Sequence, residues 1–292
     1  MKKITVFGAT GMLGVPVVKE LVKAGFEVTA LVRDREKARR LLPEDVRLVE
    51  GDLKNRADIE RALEGAGGVY MNLSVEQGSA EKDFQPEREG VDNIIAAAKS
   101  AGVRRLAYCS SLVHRYQGTN GFDWWAFRIK AEAVEKIKRS GIAYTIFYPS
   151  SFMENFDKGN YLQNGRLMLA GESKHPMWFI AGEDYGRQVA KAFQLTEAEN
   201  RDYDVQGPEA FTADEAARIF ADNYQKEKLK ISKTPFFVLK VMGAFSPKMN
   251  YGARILEALN NYPEKFAAER TWDELGRPQI TLAEYARKSN GK

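Results

Sequence analysis

Residues 6–14 read Val6-Phe7-Gly8-Ala9-Thr10-Gly11-Met12-Leu13-Gly14, so that three glycines separate an apolar run from a helical pattern. Between a strand and a helix, the first glycine allows a tight turn and the second lets backbone amides approach a phosphate group. The third lets the helix pack closely on the strand. Such a turn can also bind nothing, but the strand before it and the helix after it favour a dinucleotide. We expect its pyrophosphate to contact Gly8, Thr10, Gly11, Met12 and Leu13.

Outward from this turn, the first half of the chain alternates short apolar runs with longer helical patterns. The runs are nearly all apolar, as is typical of parallel strands with helices on both faces. Strands are predicted at Lys3–Phe7, Val28–Val32, Val46–Val49, Gly68–Leu73, Arg105–Cys109 and Ala143–Tyr148. Helices are predicted at 12–24, 34–41, 55–65, 85–101 and 124–139. This alternation predicts an α/β fold, a Rossmann-type doubly wound parallel sheet.

The pattern changes after Pro149, where Gly, Pro, Asn and aromatic residues become frequent. We expect residues 1–150 to form the NAD(P)-binding Rossmann domain. Residues 151–292 are expected to form a smaller C-terminal substrate-binding lobe, partly interleaved with the sheet. The lobe's predicted helices are 183–195 and 212–225, and its predicted strands are Met177–Ala181 and Tyr203–Gln206. Its aromatic residues indicate a small-molecule ligand that is apolar or planar.

The composition argues against several classes of function. Among 292 residues, 44 basic and 40 acidic side chains leave a net charge of +4, too small and too dispersed to indicate a nucleic-acid partner. One cysteine, Cys109, permits no internal disulfide, and with two histidines it offers no metal ligands at suitable spacing. No run approaches the roughly 20 apolar residues that span a bilayer. We therefore expect a cytoplasmic protein with no metal and no membrane partner.

The second predicted strand ends at Leu31-Val32-Arg33-Asp34, where such sheets contact the adenosine ribose. A carboxylate there accepts from the 2′-hydroxyl of NAD, whereas a guanidinium binds the 2′-phosphate of NADP. Because Arg33 comes first, NADP(H) is favoured over NAD(H). The alternative is that Arg33 is only solvated and that Asp34 contacts the ribose.

Two further strand ends are expected at the adenosine, because dinucleotides lie along the carboxyl ends of the strands. Asp52 follows the third strand, where its carboxylate could accept from the adenine amino group while Leu53 packs on the ring. The fourth strand ends at Asn72-Leu73-Ser74, which should pass beside the ribose.

Four later stretches complete a familiar set: Gly51–Leu53, Tyr144–Asn155, Tyr203–Glu209 and Leu275–Thr281. With them and the glycine turn, the chain resembles the short-chain dehydrogenase/reductase superfamily and, within it, the atypical NmrA-like NAD(P)-binding branch. The resemblance spans nearly the whole chain. It implies the fold but not the substrate, because the branch includes quinone-type reductases, reductases of plant phenolics and non-catalytic redox sensors.

In that superfamily a proton-donating Tyr precedes by four residues a Lys that lowers its pKa and holds the nicotinamide ribose, and this spacing puts both on one helix face. Here Lys130 is present, but Ala126 stands in place of the Tyr. The resemblance therefore implies cofactor orientation without the usual proton relay. Lys130 could otherwise be an ordinary surface lysine. The family's active-site Ser corresponds best to Ser111, which could hydrogen-bond a substrate carbonyl, and Ser110 is expected beside the cofactor.

Two side chains after the fifth strand could replace the missing acid. His114 has an ordinary pKa suited to proton transfer, and Tyr116 lies close by, although a loop histidine is more often structural. Trp124, Trp125 and Phe127 could form an aromatic wall beside the nicotinamide, and core packing explains them nearly as well.

The end of the sixth strand is implied by the resemblance to run past the nicotinamide carboxamide. The expected cofactor contacts there are Tyr148, Pro149, Ser151 and Phe152. The family commonly has an Arg before this proline, where Tyr148 stands instead.

Three functions remain open. An NADPH-dependent oxidoreductase that passes a hydride to a quinone-like or conjugated carbonyl acceptor is favoured, because this chemistry has less need of a strong proton donor and so tolerates Ala126. The alternative is a non-catalytic NADP(H)-binding redox sensor or regulator with a protein partner. Nucleotide-sugar epimerisation is disfavoured, because its oxidation step relies on the missing Tyr.

Overall fold

A seven-stranded parallel sheet is the centre of the computed structural model, which describes residues 2–159, 161–195 and 199–289. The strands, numbered in chain order, are β1 Lys3–Phe7, β2 Glu27–Val32, β3 Arg47–Glu50, β4 Gly68–Met71, β5 Arg105–Cys109, β6 Ala143–Pro149, β7 Leu162–Gln163, β8 Arg166–Ala170, β9 Met177–Phe179, β10 Arg201–Val205, β11 Glu209–Phe211 and β12 Lys230–Thr234. The large sheet has the order β10-β6-β5-β4-β1-β2-β3. All strands predicted in the first half are confirmed.

The helices connect these strands and flank the sheet. They are α1 Gly14–Lys23, α2 Arg35–Leu41, α3 Arg56–Ala62, α4 Val91–Ser100, α5 Trp125–Lys138, α6 Glu154–Asp157, α7 Gly182–Gln194, α8 Ala213–Asn223, α9 Phe236–Phe245, α10 Pro247–Asn261, α11 Glu269–Leu275 and α12 Leu282–Lys288. The predicted helices are confirmed with one difference. The segment expected to be helical over 85–101 begins with a π-helical turn, Pro86–Gly90, before α4.

Two apolar cores lie on opposite faces of the sheet because successive strand residues point to opposite sides. Val6 packs into one core with Val17 of α1 and Val189 of α7. The next residue, Phe7, packs into the other core with Ile94 of α4. Helices on both faces of a parallel sheet confirm the predicted α/β, Rossmann-type doubly wound fold.

The second half of the chain contributes to this sheet as well as to a smaller lobe. Strand β10 pairs in parallel with β6, and α7 packs against α1 on one face of the sheet. The lobe contains a third apolar core, in which Phe156 stacks on Phe220. Two small sheets, β11-β9 and β12-β8-β7, complete the lobe. The chain therefore enters the lobe after β6 and returns to the sheet at β10, while the division at residue 150 stays a prediction.

The segment 226–280 contains longer helices than its composition indicated. Helix α9 and the 15-residue helix α10 follow one another with Ser246 between them, and Ser246 caps α10 by accepting a hydrogen bond from the Met249 amide. Within the described ranges, no helix combines the length and apolar character needed to cross a bilayer. These two helices stand beside the carboxyl edge of the sheet, where α10 contacts the turn that follows β5.

Candidate functional site

The glycine turn packs so closely against the end of β4 that it requires glycine. Gly8 has a φ of +82°, which side chains other than glycine rarely adopt, and a Cβ on it would lie 2.0 Å from the backbone oxygen of Asn72. A Cβ on Gly14, the first residue of α1, would lie 2.1 Å from the backbone oxygen of Gly8. The backbones of β1, α1 and the end of β4 are therefore held in direct contact.

The N-terminus of α1 is suited to an anion. Leu13 occupies the N-cap without a side-chain hydrogen bond, and the first turn contains no acidic residue. Gly11 is exposed, while Thr10 and Met12 are half-buried. Because amide groups and the positive end of the helix dipole attract anions, this end of α1 offers what a pyrophosphate needs.

Arg33 and Asp34 are held differently at the end of β2. Asp34 is the N-cap of α2, and its carboxylate accepts a hydrogen bond of 2.9 Å from the Lys37 amide. The Arg33 guanidinium is exposed, with Nη1 3.4 Å from Oε1 of Glu76. An exposed pair of this kind contributes little to stability. Arg33 is therefore able to turn towards a phosphate, whereas the Asp34 carboxylate is engaged in capping.

The other residues predicted at the adenosine follow β3 and β4. The Asp52 carboxylate accepts a hydrogen bond of 2.9 Å from the Lys54 amide, and Leu53 is half-buried. Leu73 is buried and Ser74 is exposed. The parallel topology brings these residues to the same edge of the sheet as the glycine turn, and their cofactor contacts stay predictions.

Lys130 of α5 is held by a buried carboxylate. Its ammonium forms an ion pair with Glu87, and the side chains are 15% and 1% exposed. Glu87 also accepts hydrogen bonds from the Tyr108 hydroxyl and, at 3.2 Å, from the Val75 amide. Glu87 lies in the π-helical turn, a rare conformation that is frequent at functional sites. Lys130 therefore differs from an ordinary surface lysine in both burial and pairing.

Ser110, Ser111 and His114 follow β5. The buried Ser110 Oγ has no hydrogen-bond partner within the described residues, whereas the half-buried Ser111 is held through its backbone. His114 Nδ1 bonds the Ser111 backbone oxygen, and burial lowers the His114 pKa to about 4. A neutral imidazole that donates from Nδ1 has only an acceptor at Nε2. At neutral pH, His114 in this arrangement is uncharged and can accept a hydrogen bond at Nε2, but it has no proton there to donate.

The other proposed acid, Tyr116, is buried among aromatic residues. Its ring centroid lies 5.1 Å from that of Phe122. Tyr148, at the end of β6, stacks on His114 with the ring centroids 5.9 Å apart. The Arg115 guanidinium lies 4.6 Å from the centroid of the Tyr148 ring. The packing of these rings therefore holds His114 and Tyr148 in place near Ser111.

Of the four residues expected beside the carboxamide, Pro149, Ser151 and Phe152 are buried or half-buried. Pro149 is buried, and Ser151 is half-buried with its Oγ 3.4 Å from Sδ of Met177. Phe152 is buried and packs edge-on against Tyr185 in the core, with the ring centroids 5.3 Å apart. A cofactor contact at Phe152 would therefore come from its backbone.

A carboxylate is buried next to the end of β6. Glu264 is 8% exposed and accepts hydrogen bonds of 2.8 Å from Ser150 Oγ and from Gln206 Nε2. Burial raises the Glu264 pKa to about 7, since removal from water disfavours the charged form. Glu264 therefore changes charge near neutral pH.

An aromatic cavity of about 300 Å³ lies at the carboxyl edge of the sheet. Its lining residues are Gln77, Ser79, Trp124, Trp125, Gly243–Pro247, Asn250 and Tyr251. Trp124 contacts Tyr251 edge-on at 5.0 Å, while Phe127, the third residue of the expected aromatic wall, packs behind Trp124 at 4.9 Å. The cavity is thus bounded by two tryptophans before and in α5 and by the α9–α10 junction.

Tyr251 connects this cavity with the Glu87–Lys130 pair. Burial, together with the nearby charge of Glu87, raises the Tyr251 pKa to about 12. A phenol with a raised pKa stays protonated at neutral pH and remains a hydrogen-bond donor. Tyr251 therefore places a protonated phenol at the wall of the cavity. Ala126, which stands in place of the family's Tyr, is buried among apolar side chains and offers no such donor.

The sequence patterns missed Glu87 and Tyr251. Glu87 lies 43 positions before its partner Lys130, and nothing in a run of charged residues indicates which one is buried. Tyr251 is one of many aromatic residues in a segment whose helices were not predicted. Among the described residues, no group of three or more His, Cys, Asp or Glu side chains is placed to hold a metal ion.

With this geometry in view, the comparison with known families is decisive. The sequence profile of the NmrA-like family matches residues 1–286. The chain belongs to the NmrA-like family. This confirms the branch that the glycine turn and the later stretches resembled.

NmrA-like relatives differ in what they do. Photosystem II assembly factor Ycf39 of Trieres chinensis is 24% identical over 260 residues, which cover 88% of this chain and 79% of that protein. Quinone oxidoreductase 2 of Escherichia coli is 28% identical over 222 residues, which cover 73% and 72%. The structure of Citrobacter sp. triphenylmethane reductase complexed with NADP(H) has a TM-score of 0.75 at 20% identity, covering 98% of this chain and 99% of that one. The structural likeness shows the fold.

Proposed function

We propose that this NmrA-like protein is an NADPH-dependent oxidoreductase that reduces a quinone-like or conjugated carbonyl acceptor. The observation that carries the proposal is the aromatic cavity whose wall residue Tyr251 lies within electrostatic reach of the Glu87–Lys130 pair. Flat aromatic walls fit a planar, apolar acceptor. Quinone oxidoreductase 2 and triphenylmethane reductase, both similar to this chain, have names consistent with acceptors of that shape.

The residues present fit a dinucleotide. A side chain at Gly8 or Gly14 would clash with neighbouring backbone oxygens. The N-terminus of α1 has no side-chain cap, so its amide groups are available to a pyrophosphate. The buried Ser110 Oγ, which lacks a partner within the described residues, adds a polar group at the end of β5 for a ligand to satisfy. We propose that the cofactor binds along this edge of the sheet, in contact with the residues that the sequence predicted.

NADP(H) is preferred over NAD(H) in this proposal. The Asp34 carboxylate is engaged as the cap of α2, which leaves the exposed Arg33 guanidinium to bind a 2′-phosphate. The neighbouring Arg35 and Lys37 are also exposed and add positive potential at the same place.

The chain's own residues orient the cofactor and stabilise the charge on the acceptor, while the nicotinamide of the bound cofactor supplies the hydride. Lys130 has three N–H donors, so the bond to Glu87 leaves two for the ribose hydroxyls. Glu87 holds the ammonium in place. Tyr251 donates a hydrogen bond to the acceptor oxygen as negative charge develops there. Because a reduced quinone oxygen is a weak base, a hydrogen bond to it is enough to stabilise its charge. No proton transfer from a phenol at position 126 is then required.

The test follows NADPH oxidation by the purified protein with a water-soluble quinone. We expect steady oxidation, and a Tyr251→Phe variant should lower kcat roughly 10- to 100-fold while leaving NADPH affinity unchanged. Tyr144→Phe, at the amino end of β6 and so at the other edge of the sheet, serves as the control. Binding of NADPH without any turnover would refute the reductase. An inactive Lys130→Ala variant with unchanged cofactor affinity would refute the role of Lys130 at the ribose.

A second candidate is a nucleotide-regulated binding protein without turnover. The observation in its favour is that Ala126 is 4% exposed in an apolar cluster, so no proton donor stands at the family's usual place. One relative, photosystem II assembly factor Ycf39, is named for assembly and not for a reduction. NADPH binding with no oxidation by any quinone tested would favour this candidate.

A further inference from the structure

Helix α9 presents an apolar face that no element of the described part of the chain covers. Phe237, Val241 and Phe245 are 68%, 58% and 87% exposed, and their spacing of four residues places them on one side of the helix. Met242 beside them is 47% exposed. Only Gly243 of this helix is buried, where it approaches Asn250 of α10. Contiguous exposed apolar residues of this kind mark an interaction surface.

The same segment is strongly basic. Residues 226–248 contain six lysines and a single acidic residue, Glu227, in a chain whose whole net charge is only +4. All six lysines are exposed, namely Lys226, Lys228, Lys230, Lys233, Lys240 and Lys248. Lys233 and Lys240 are paired with acidic residues of other helices, Asp214 and Glu257. Within the described residues, Lys228, Lys230 and Lys248 form no ion pair.

We propose that α9, with its flanking lysines, is a docking surface for the anionic face of a lipid bilayer. Apolar side chains on one face of a helix enter the boundary between headgroups and acyl chains, while lysines beside them attract anionic headgroups. Lys228 and Lys230 precede α9, just before and at the start of β12, and Lys248 follows it in the first turn of α10, so they flank the apolar stripe in the sequence.

A second copy of the chain is a poorer occupant. Two-fold association would bring the same basic segment of each copy together, and the lysines would repel one another. An anionic bilayer complements both the charge and the apolar stripe. The expectation of no membrane partner depended on the absence of a spanning segment, and a peripheral helix needs none.

Docking would have a consequence for the cavity, and this consequence depends on the proposed function, whereas docking itself does not. Gly243, Ala244 and Phe245, at the end of α9, form one wall of the aromatic cavity. A bilayer that covers Phe245 would therefore lie at the mouth of the cavity. An apolar acceptor dissolved in the lipid could enter without crossing water.

The test is flotation of the full-length protein with vesicles of phosphatidylcholine alone and of phosphatidylcholine mixed with phosphatidylglycerol, without NADPH. We expect flotation with the anionic vesicles only, weakened by salt. Phe237→Ser/Val241→Ser/Phe245→Ser and Lys228→Gln/Lys230→Gln/Lys248→Gln should each weaken binding roughly 100-fold or more. The control Lys19→Gln/Lys99→Gln/Lys191→Gln, on exposed lysines elsewhere, should bind as the wild type does.

Three results would overturn the proposal. They are no flotation with either vesicle, flotation that the α9 and lysine variants leave unchanged, and a dimer in analytical ultracentrifugation that the apolar triple variant dissociates. Because the assay measures no oxidation, these results are independent of whether the protein reduces quinones.

Discussion

Lys130 and Glu87 form an ion pair in which the Glu87 side chain is almost completely buried and the Lys130 side chain is 15% exposed. The pair joins α5 to the π-helical turn that precedes α4, and Tyr108 of β5 donates to the same carboxylate. A buried charge is tolerated only with such partners, because removal from water is costly. The geometry at the expected cofactor ribose therefore depends on a residue outside the family's catalytic motif.

Breaking this pair from either side should destabilise the protein strongly. Glu87→Gln leaves an ammonium without its counter-ion, and Lys130→Met leaves a buried carboxylate, so each should cost about 2–4 kcal/mol of unfolding free energy. The double variant removes both charges and should cost less than the sum of the two, with a coupling energy of about 1–3 kcal/mol. Urea denaturation measures all three. Additive effects would show that the pair does not act as a unit.

Arg33→Ala should weaken NADPH binding by about 10- to 100-fold, because it removes a charge-assisted contact to the 2′-phosphate, and should leave NADH binding nearly unchanged. Tryptophan fluorescence titration with both nucleotides measures the ratio. Arg47→Ala, an exposed arginine paired with Glu64, is the matched control. If Asp34→Ala, rather than Arg33→Ala, changes the ratio, then Asp34 is the residue that contacts the ribose.

Gly8→Ala should destabilise the protein much more than Gly25→Ala. Both glycines have left-handed backbones, with φ of +82° and +85°, so the conformational penalty of about 1–2 kcal/mol is common to both. A Cβ on Gly8 meets the Asn72 oxygen, whereas nothing lies within 4 Å of one on Gly25. We expect an additional loss of about 2 kcal/mol or more at Gly8, measured by denaturant unfolding. Equal losses would mean that the turn can widen without cost.

Glu264→Gln should make stability depend less on pH. The Glu264 pKa of about 7 lies above the ordinary carboxyl value of 4.5, so between those values the folded protein binds more protons than the unfolded chain. Its contribution to stability therefore falls as pH rises from 4.5 to 7. In the variant, the amide oxygen can accept from Gln206 Nε2 and the amide nitrogen can donate to Ser150 Oγ. The variant should therefore gain about 1–3 kcal/mol relative to wild type at pH 8 and little at pH 4.

The difference between wild type and variant isolates Glu264 from two other groups. Burial raises the pKa of Glu154 to about 7 as well, and it lowers that of His114 to about 4, which has the opposite effect on the pH dependence. Both groups remain in the variant. The exposed Glu44→Gln is the control, and an identical pH dependence in Glu264→Gln would contradict the raised pKa.

Local patterns predicted the sheet because its strands and the glycine turn obey short-range rules. Apolar runs gave the six strands of the first half, and the spacing of Gly8, Gly11 and Gly14 gave the turn. The partner of Lys130 could not be read in the same way, since burial of Glu87 depends on β5, α5 and the segment after β4 coming together. The α9–α10 pair was also not predicted. An apolar run usually indicates a buried segment, whereas α9 is apolar and stays exposed.

The order of the sheet has a consequence for synthesis on the ribosome. Strand β6 gains its outer neighbour only from β10, which follows in the chain after α6, the first three strands of the lobe and α7. A nascent chain that has emerged only through β6 would expose the unpaired, apolar edge of Ala143–Pro149, a template for association with other chains. Completion of the sheet therefore awaits translation of β10, and a fragment ending near residue 150 should aggregate instead of folding alone.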